Sequence, residues 1–160
     1  MGQFYSWEQL MDARAAWKRA GRRVVFTNGC YDILHPGHIR LLEQARALGD
    51  VLILALNSDA SVARLKGPLR PLIPENERAA LALALEAVDA VTLFDEDTPR
   101  QLISVVLPDV LVKGADWSHF VAGREEVEAA GGQVKLIPLE RGYSTTATVE
   151  EIVARRKTGV

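Results

Sequence analysis

Two histidines three residues apart, His35 and His38, are the feature of the sequence best suited to chemistry. They close the segment 27–38, which starts where an apolar run predicts the end of a strand and finishes where a helical pattern begins. At this spacing both imidazoles can face one side of the helix start. Pro36 suits the first helical turn, and Gly37 lets a ligand approach the backbone. Together with the free N–H groups and positive dipole of a helix start, the pair predicts a cradle for a phosphate.

A metal site and chance surface histidines are the two alternatives for this pair. Two histidines without a nearby Cys or Glu make an incomplete set of metal ligands. Cys30 is the single cysteine, which excludes an intramolecular disulfide and a Cys-based zinc site. Phosphate binding is favoured because the strand end, the loop, the helix start and both histidines coincide.

The elements that must position the pair alternate along the chain. Short apolar runs predict strands at residues 24–26, 51–56, 90–94, 110–112 and 134–138. Periodic patterns predict helices at residues 6–19, 37–48, 59–65, 75–87, 100–107, 125–130 and 145–156. We expect Ser58, Thr98 with Pro99, and Thr145 or Thr146 to cap three of these helices.

This alternation predicts an α/β fold: a Rossmann-like, doubly wound, five-stranded parallel sheet with helices on both faces, plus the N-terminal helix. Ligands of such sheets bind beyond the carboxyl ends of the strands, and the histidine segment follows the first strand. We expect residues 1–21 to form an N-terminal helical extension and residues 22–160 a single domain. The N-terminal helix either packs on the core or forms a subunit contact.

The composition excludes several classes of function. The chain has 160 residues, 48% hydrophobic and 25% charged, with a formal net charge of −2, so no basic excess indicates nucleic acid or an anionic membrane. Its apolar runs are too short to span a bilayer. Trp7, Glu8 and Asp12 stand where a signal peptide would have an apolar core. The expected location is therefore cytoplasmic.

The histidine run resembles the HxGH signature of the cytidylyltransferase-like nucleotidyltransferases, preceded by the glycine, aromatic and aspartate usual in that family, here Gly29, Tyr31 and Asp32. Ser144-Thr145-Thr146 is similar to the second signature of the family, a Ser-Thr-Thr near the last helix. From residue 22 onward the chain resembles the D-glycero-β-D-manno-heptose 1-phosphate adenylyltransferases, often the C-terminal half of a bifunctional protein with a sugar kinase. The segments that carry this resemblance are 57–61, 64–67 with 70–71, 86–89, 96–99 and 111–116, and no kinase half is expected within the 160 residues.

The resemblance implies a reaction in which the substrate phosphate attacks the α-phosphorus of ATP in line, giving ADP-heptose and pyrophosphate for lipopolysaccharide core or another surface glycan. It implies ATP and heptose 1-phosphate as small-molecule substrates, and Mg²⁺ held mainly by the nucleotide phosphates. It also implies a homo-oligomer and a separate heptose kinase in the pathway. Because a phosphate monoester is already mostly dianionic near neutral pH, no protein base is needed. Catalysis then depends on positioning and charge stabilisation.

The same resemblance implies roles for individual residues. His35 and His38 stabilise the α-phosphate, and Lys66 reaches over the reacting phosphates. Asp32 is assigned to the sugar hydroxyls and Asp116 to substrate or nucleotide hydroxyls. The implied nucleotide-binding residues are Thr27, Asn28, Gly29, Tyr31, Gly37, Arg78, Lys113, Ser144, Thr145 and Thr146, with Arg70 as a weaker candidate. Trp117 and His119 could belong to a loop over the site, although an ordinary surface position is favoured for His119. On spacing alone, Lys66 could belong to a basic surface loop, Arg78 could be an exposed helical arginine, and the Ser-Thr-Thr hydroxyls could be helix caps.

Two other functions stay open. A CTP-dependent cytidylyltransferase acting on glycerol 3-phosphate or phosphoethanolamine would have the same fold. Relatives that use CTP often have an arginine five residues before the Ser-Thr-Thr, where this chain has Leu139, with Arg141 two residues later. A non-catalytic nucleotide-binding module is the second alternative, although such a module has no need of the histidine pair and Lys66.

Overall fold

Six parallel strands form one sheet within the part of the chain that the computed structural model describes, residues 2–117, 119–138 and 142–157. The strands are β1 (Gln3–Phe4), β2 (Val24–Gly29), β3 (Val51–Asn57), β4 (Ala90–Phe94), β5 (Val110–Gly114) and β6 (Gln133–Ile137). β3 is buried along all seven of its residues, as a strand covered on both faces must be. The predicted parallel α/β fold is therefore confirmed.

The order of the strands is β1-β4-β3-β2-β5-β6. The chain runs outward from β2 through β3 to β4, then crosses back to place β5 on the other side of β2. The strand order therefore reverses beside β2, and a crevice for a ligand opens at the carboxyl ends of the strands there.

Seven helices and one 3-10 turn surround the described part of the sheet. They are α1 (Trp7–Arg19), α2 (Pro36–Arg46), α3 (Asp59–Lys66), α4 (Glu75–Leu83), α5 (Arg100–Val106), the 3-10 turn Ala115–Trp117, α6 (Arg124–Ala129) and α7 (Thr145–Lys157). None of the described helices is both long and apolar enough to cross a membrane.

The alternating residues of β3 divide the hydrophobic core into two clusters. Val51 and Ile53 belong to one cluster with residues of α1, α5 and α6. Leu52 and Leu54 belong to the other with residues of α2 and α4. Because successive strand residues point to opposite faces, helices cover both faces of the sheet, as predicted.

The N-terminal segment packs on this core. Leu10 is fully buried in the first cluster, and the indole of Trp7 donates to the carbonyl of Leu93 at 2.8 Å. Ahead of α1, the two residues of β1 pair with Ala90 and Val91 of β4 and add a sixth strand. The predicted count of five strands was wrong, because a two-residue exposed strand has no apolar run to mark it. The division at residue 21 stays a prediction.

Several predicted helix ends differ from the structure. Ser58 caps α3 as predicted, its hydroxyl accepting from the amide of Ser61 at 3.0 Å. Pro99, not Thr98, is the N-cap of α5, and it makes no side-chain cap hydrogen bond. At α7 the hydroxyl that accepts from the helix is that of Ser144, from the Ala147 amide at 3.3 Å, and neither predicted threonine does so.

Candidate active site

A cavity of about 580 Å³ lies at the carboxyl ends of the strands, within the size range of small-molecule sites. The loops after β2, β3, β4 and β5 and the start of α7 contribute its wall. Predicted site residues on this wall are Asn28, Gly29, Tyr31, Asp32, His35, Gly37, His38, Lys66, Arg70, Lys113, Asp116, Ser144, Thr145 and Thr146. The fold therefore brings together most of the residues that the sequence singled out.

His35 and His38 are held at the start of α2 by each other. His35 is the N-cap, and its Nδ1 accepts from the backbone amide of His38 at 3.3 Å. The two rings stack with centroids 3.7 Å apart and planes 13° apart. Since Nδ1 of His35 is an acceptor, the proton of the neutral ring is on Nε2.

Both histidines are neutral near pH 7. Burial lowers the pKa of His35, and burial together with the adjacent His35 lowers the pKa of His38 to about 4. Stacked imidazolium ions would repel each other in this half-buried place. Each neutral ring keeps one N–H, which for His35 is the Nε2–H that can donate to an anion. The remaining positive character comes from the start of α2 and from nearby basic side chains.

Two more rings extend the stack. Tyr31 packs against His38 with centroids 4.6 Å apart, and Tyr143 lies parallel to His35, with centroids 5.9 Å and planes 18° apart. These pairs place the rings in the order Tyr31, His38, His35, Tyr143. Tyr31 adopts a left-handed backbone conformation with φ 48°, which is strained for a residue with a bulky side chain and is often found at functional sites.

Both glycines of the histidine segment make room for these rings. A Cβ on Gly29 would lie 2.8 Å from a ring carbon of Tyr31. A Cβ on Gly37 would lie 3.1 Å from Nδ1 of His35 and 3.1 Å from Cβ of Tyr143. The missing Cβ of Gly37 therefore makes room for neighbouring side chains, and Gly37 also lines the cavity. Its predicted close approach to a ligand stays a prediction.

Asp32 connects the histidine segment to the loop that follows Lys66. Its side chain is 1% exposed and accepts from Nε of Arg70 at 2.5 Å and from the amides of Leu72 and Ile73 at 2.8 Å each. Burial raises the pKa of Asp32, but these hydrogen bonds outweigh it and hold the pKa below the ordinary value. The predicted contact of Asp32 with sugar hydroxyls stays a prediction; in the structure its oxygens already have protein partners.

The basic residues of the wall differ in exposure. Lys66 is exposed at the end of α3, where Gly67 follows with a φ of 100°. Lys113 ends up half-buried near the end of β5, and burial lowers its pKa to about 8 although nearby Asp116 opposes this. Arg70 reaches the wall while it is paired with Asp32. An anionic ligand in the cavity would thus meet at least three cationic side chains.

Arg78 and Thr27 do not line the cavity. The Arg78 side chain is fully buried and donates to the carbonyls of Ile73 and Cys30 at 2.9 and 2.6 Å and to Asp59 at 2.8 Å. It is therefore not the exposed helical arginine considered from spacing, and its predicted contact with the nucleotide stays a prediction. Thr27 is buried as well, and its hydroxyl donates to the carbonyl of Val112 across β2 and β5.

Some residues of the wall were not predicted. They are Cys30, Leu41, Asn57, Leu65, Asp97, Thr98, Pro99, Phe120, Ala122 and Tyr143. Asn57 is the last residue of β3 and Thr98 lies in the loop after β4, so their position alone could have indicated them. Of the loop residues that were considered, His119 is exposed and outside the wall, whereas Leu139 and Arg141 fall outside the described residues.

Comparison with known proteins places this geometry in a family. Residues 26–153 match the family model described as cytidylyltransferase-like. The chain is 56% identical over 146 residues to the bifunctional protein HldE of Citrifermentans bemidjiense, covering 91% of this chain and 30% of that protein. It is 53% identical over 153 residues to the bifunctional protein HldE of Syntrophotalea carbinolica, covering 95% of this chain and 31% of that protein. The chain thus spans about a third of the length of these curated relatives.

Two solved structures are similar to the fold. The lipopolysaccharide core biosynthesis protein of Thermoplasma volcanium is 32% identical with a TM-score of 0.62, covering 78% of this chain and all of that one. Pantoate-β-alanine ligase of Francisella tularensis has a TM-score of 0.66 at 14% identity, covering 88% of this chain and 68% of that one, and shows the fold alone. With the family model spanning most of its length, the chain belongs to the cytidylyltransferase-like family and is a nucleotidyltransferase.

Proposed function

We propose that this chain transfers AMP from ATP to D-glycero-β-D-manno-heptose 1-phosphate, giving ADP-heptose and pyrophosphate for lipopolysaccharide core or another surface glycan. The observation that carries the proposal is the neutral, stacked pair His35 and His38 at the start of α2, on the wall of a cavity with cationic side chains. The choice of ATP and of a heptose phosphate is supported by the similarity to the HldE proteins and to a lipopolysaccharide core biosynthesis protein.

The bond changes balance without a protein nucleophile. An oxygen of the heptose 1-phosphate forms a bond to the α-phosphorus of ATP while the bond from that phosphorus to the bridging oxygen of pyrophosphate breaks. The attacking phosphate is largely dianionic near neutral pH, so no base has to remove a proton from it. Burial raises the pKa of the Cys30 thiol, which keeps this thiol protonated and unsuited to attack.

The chain contributes positioning and charge stabilisation. The ring N–H groups of His35 and His38 and the amide of Gly37 at the start of α2 would meet the oxygens of the α-phosphate as their charge changes. Lys66 and Lys113 would bind the outer phosphates from the two sides of β2. Asn28 and the Ser-Thr-Thr at the start of α7 would contact the nucleotide, and Asp116 its hydroxyls or those of the sugar.

Magnesium would enter with the nucleotide. No group of three or more His, Cys, Asp and Glu side chains that could hold a metal ion occurs among the described residues. The described residues fit an ion held mainly by the nucleotide phosphates, which would supply positive charge for the pyrophosphate. We further propose a cytoplasmic location, a homo-oligomer and a heptose kinase activity as the source of the substrate.

The decisive experiment measures pyrophosphate release from each of the four common NTPs, with Mg²⁺, crossed against a panel of phosphates. The panel contains both anomers of heptose 1-phosphate, glycerol 3-phosphate and phosphoethanolamine. We expect release only from ATP with the β-anomer. Equal turnover of CTP with glycerol 3-phosphate or phosphoethanolamine would instead identify a cytidylyltransferase, and nucleotide binding without release in any combination would identify a non-catalytic module.

A further inference from the structure

We propose that Tyr143 is a positioning residue for the reaction, which holds the ring of His35 and docks the start of α7 on the histidine segment. Tyr143 directly precedes Ser144, Thr145 and Thr146, so it joins two segments that both line the cavity. Its role rests on the proposed function where turnover is measured, but its effect on His35 can be measured on the protein alone.

The contact between Tyr143 and His35 is made by the two rings and by the backbone around them. The rings are nearly parallel, 18° apart, with centroids at 5.9 Å. Gly37, between the two histidines, has no Cβ, and the position of that atom would be 3.1 Å from Cβ of Tyr143. Tyr143 can therefore approach His35 because Gly37 leaves the space, which gives this glycine a structural purpose.

The orientation of the His35 ring determines both the cap of α2 and the direction of its N–H donor. Its Nδ1 accepts from the amide of His38, and the ring stacks on that of His38 at 3.7 Å. A rotation of the His35 ring would break the hydrogen bond from the His38 amide to Nδ1 and would change the direction in which Nε2–H points. A parallel ring on His35 limits such rotation, because the ring would have to leave both stacking contacts to turn.

The start of α7 needs the same contact for its own position. None of the residues of α7 is buried, so packing of this helix against the core is weak. On the two sides of Ser144, Tyr143 contacts His35, and the hydroxyl of Thr145 donates to the carbonyl of Ile33 at 3.3 Å. These contacts tie the Ser-Thr-Thr segment to the residues that would hold the α-phosphate.

The contact uses the ring of Tyr143 and not its hydroxyl, which suggests a matched pair of variants. Tyr143→Phe keeps the ring, and Tyr143→Leu keeps an apolar side chain without a ring. Tyr143 is 41% exposed, so neither change opens a cavity in the core. Ile152→Ala serves as a control, since Ile152 is 59% exposed on α7 and lies outside the wall of the cavity.

The first measurement is proton NMR of the histidine ring protons in the protein without ligands. We expect the ring-current shift of His35 to be the same in the wild type, Tyr143→Phe and Ile152→Ala, and to change in Tyr143→Leu. Resonances are assigned with His35→Asn. An unchanged His35 spectrum in Tyr143→Leu would overturn the inference, whatever the enzyme transfers.

The second measurement is kcat and KM for pyrophosphate release. Loss of an aromatic contact of this kind corresponds to about a three- to tenfold fall in kcat for Tyr143→Leu. We expect Tyr143→Phe to restore kcat, and Tyr143→Leu to have no further effect when His35 is already Asn. A fall in kcat of equal size with and without His35 would contradict positioning through His35. Absence of release by the wild type would count against the proposed function, while the NMR result would still test the contact between Tyr143 and His35.

Discussion

Nδ1 of His35 accepts from the backbone amide of His38, and the two imidazole rings stack with their centroids 3.7 Å apart. One contact fixes which nitrogen of His35 carries the proton, and the other disfavours charge on both rings. A helix cap and a pair of hydrogen-bond donors are thereby built from the same two side chains. The chemistry of the site accordingly depends on how this pair is supported and protonated.

Lowering the pH should destabilise the protein through His38. Its pKa in the folded protein is about 4, against an ordinary value of 6.5, so between these values the unfolded chain binds more protons than the folded one. The free energy of unfolding should therefore fall as the pH drops from about 6.5 to 4, by about 1–2 kcal/mol from this residue after allowance for partial solvent screening. Urea unfolding at a series of pH values measures this fall in the free energy of unfolding, with His38→Gln as the control. A pH dependence as steep in His38→Gln would contradict this origin.

Substitutions of His35 should separate its cap from its catalytic role. His35→Asn keeps a side-chain acceptor for the amide of His38 but removes Nε2–H, so we expect near-normal stability and a kcat lowered about 10²- to 10³-fold. His35→Ala should lose the same rate and in addition about 1 kcal/mol of stability, because the cap is gone. Pyrophosphate release and urea unfolding measure the two effects. Retention of wild-type kcat by His35→Asn would refute donation by this ring.

Replacing Asp32 should loosen the loop that carries Arg70. Asp32→Ala leaves the Arg70 guanidinium and the amides of Leu72 and Ile73 without their acceptor, which should cost about 3 kcal/mol of stability. The matched control is Asp97→Ala, because Asp97 also lines the cavity but is 69% exposed in its ion pair with Arg64, and we expect a cost below about 1 kcal/mol.

Two measurements test this role of Asp32. Denaturant unfolding gives the stability, and limited proteolysis reports exposure of residues 67–74. If Asp32 acts by holding this loop, kcat should fall in Asp32→Ala, and the fall should shrink when Lys66 is already Ala. A change confined to KM for the sugar phosphate, with a normal proteolysis pattern, would favour the direct contact with sugar hydroxyls over the loop.

The fold could be predicted well because most of the core strands and helices are marked by patterns of residues adjacent in the sequence. The apolar run of β3 and the cap of α3 can be recognised from adjacent residues, whereas β1 is defined by backbone pairing with β4. In the site, His35 and His38 were found from their spacing. The burial of Arg78 could not be predicted, since it depends on carbonyl acceptors at Cys30 and Ile73 that only the folded chain brings to it. The stacking of Tyr143 on His35 could not be predicted either, because it too forms only when distant segments of the chain meet in the fold.

Adding a methyl group at Gly29 should disturb the ring stack from its far end. A Cβ there would be 2.8 Å from the ring of Tyr31, which packs on His38, so the ring must move or the strand end must shift. We expect Gly29→Ala to cost about 1–3 kcal/mol of stability and to lower kcat about tenfold, with a changed NMR shift for His38.

Gly21→Ala is the matched control for Gly29→Ala. Gly21 has a φ of 68° and nothing within 4 Å of its missing Cβ, so alanine there costs about 1 kcal/mol through backbone strain alone. Because Gly21 lies outside the cavity wall, we expect its kcat to equal that of the wild type. Equal losses of kcat in both variants would mean that lowered stability, and not displacement of Tyr31 against His38, accounts for the effect of Gly29→Ala.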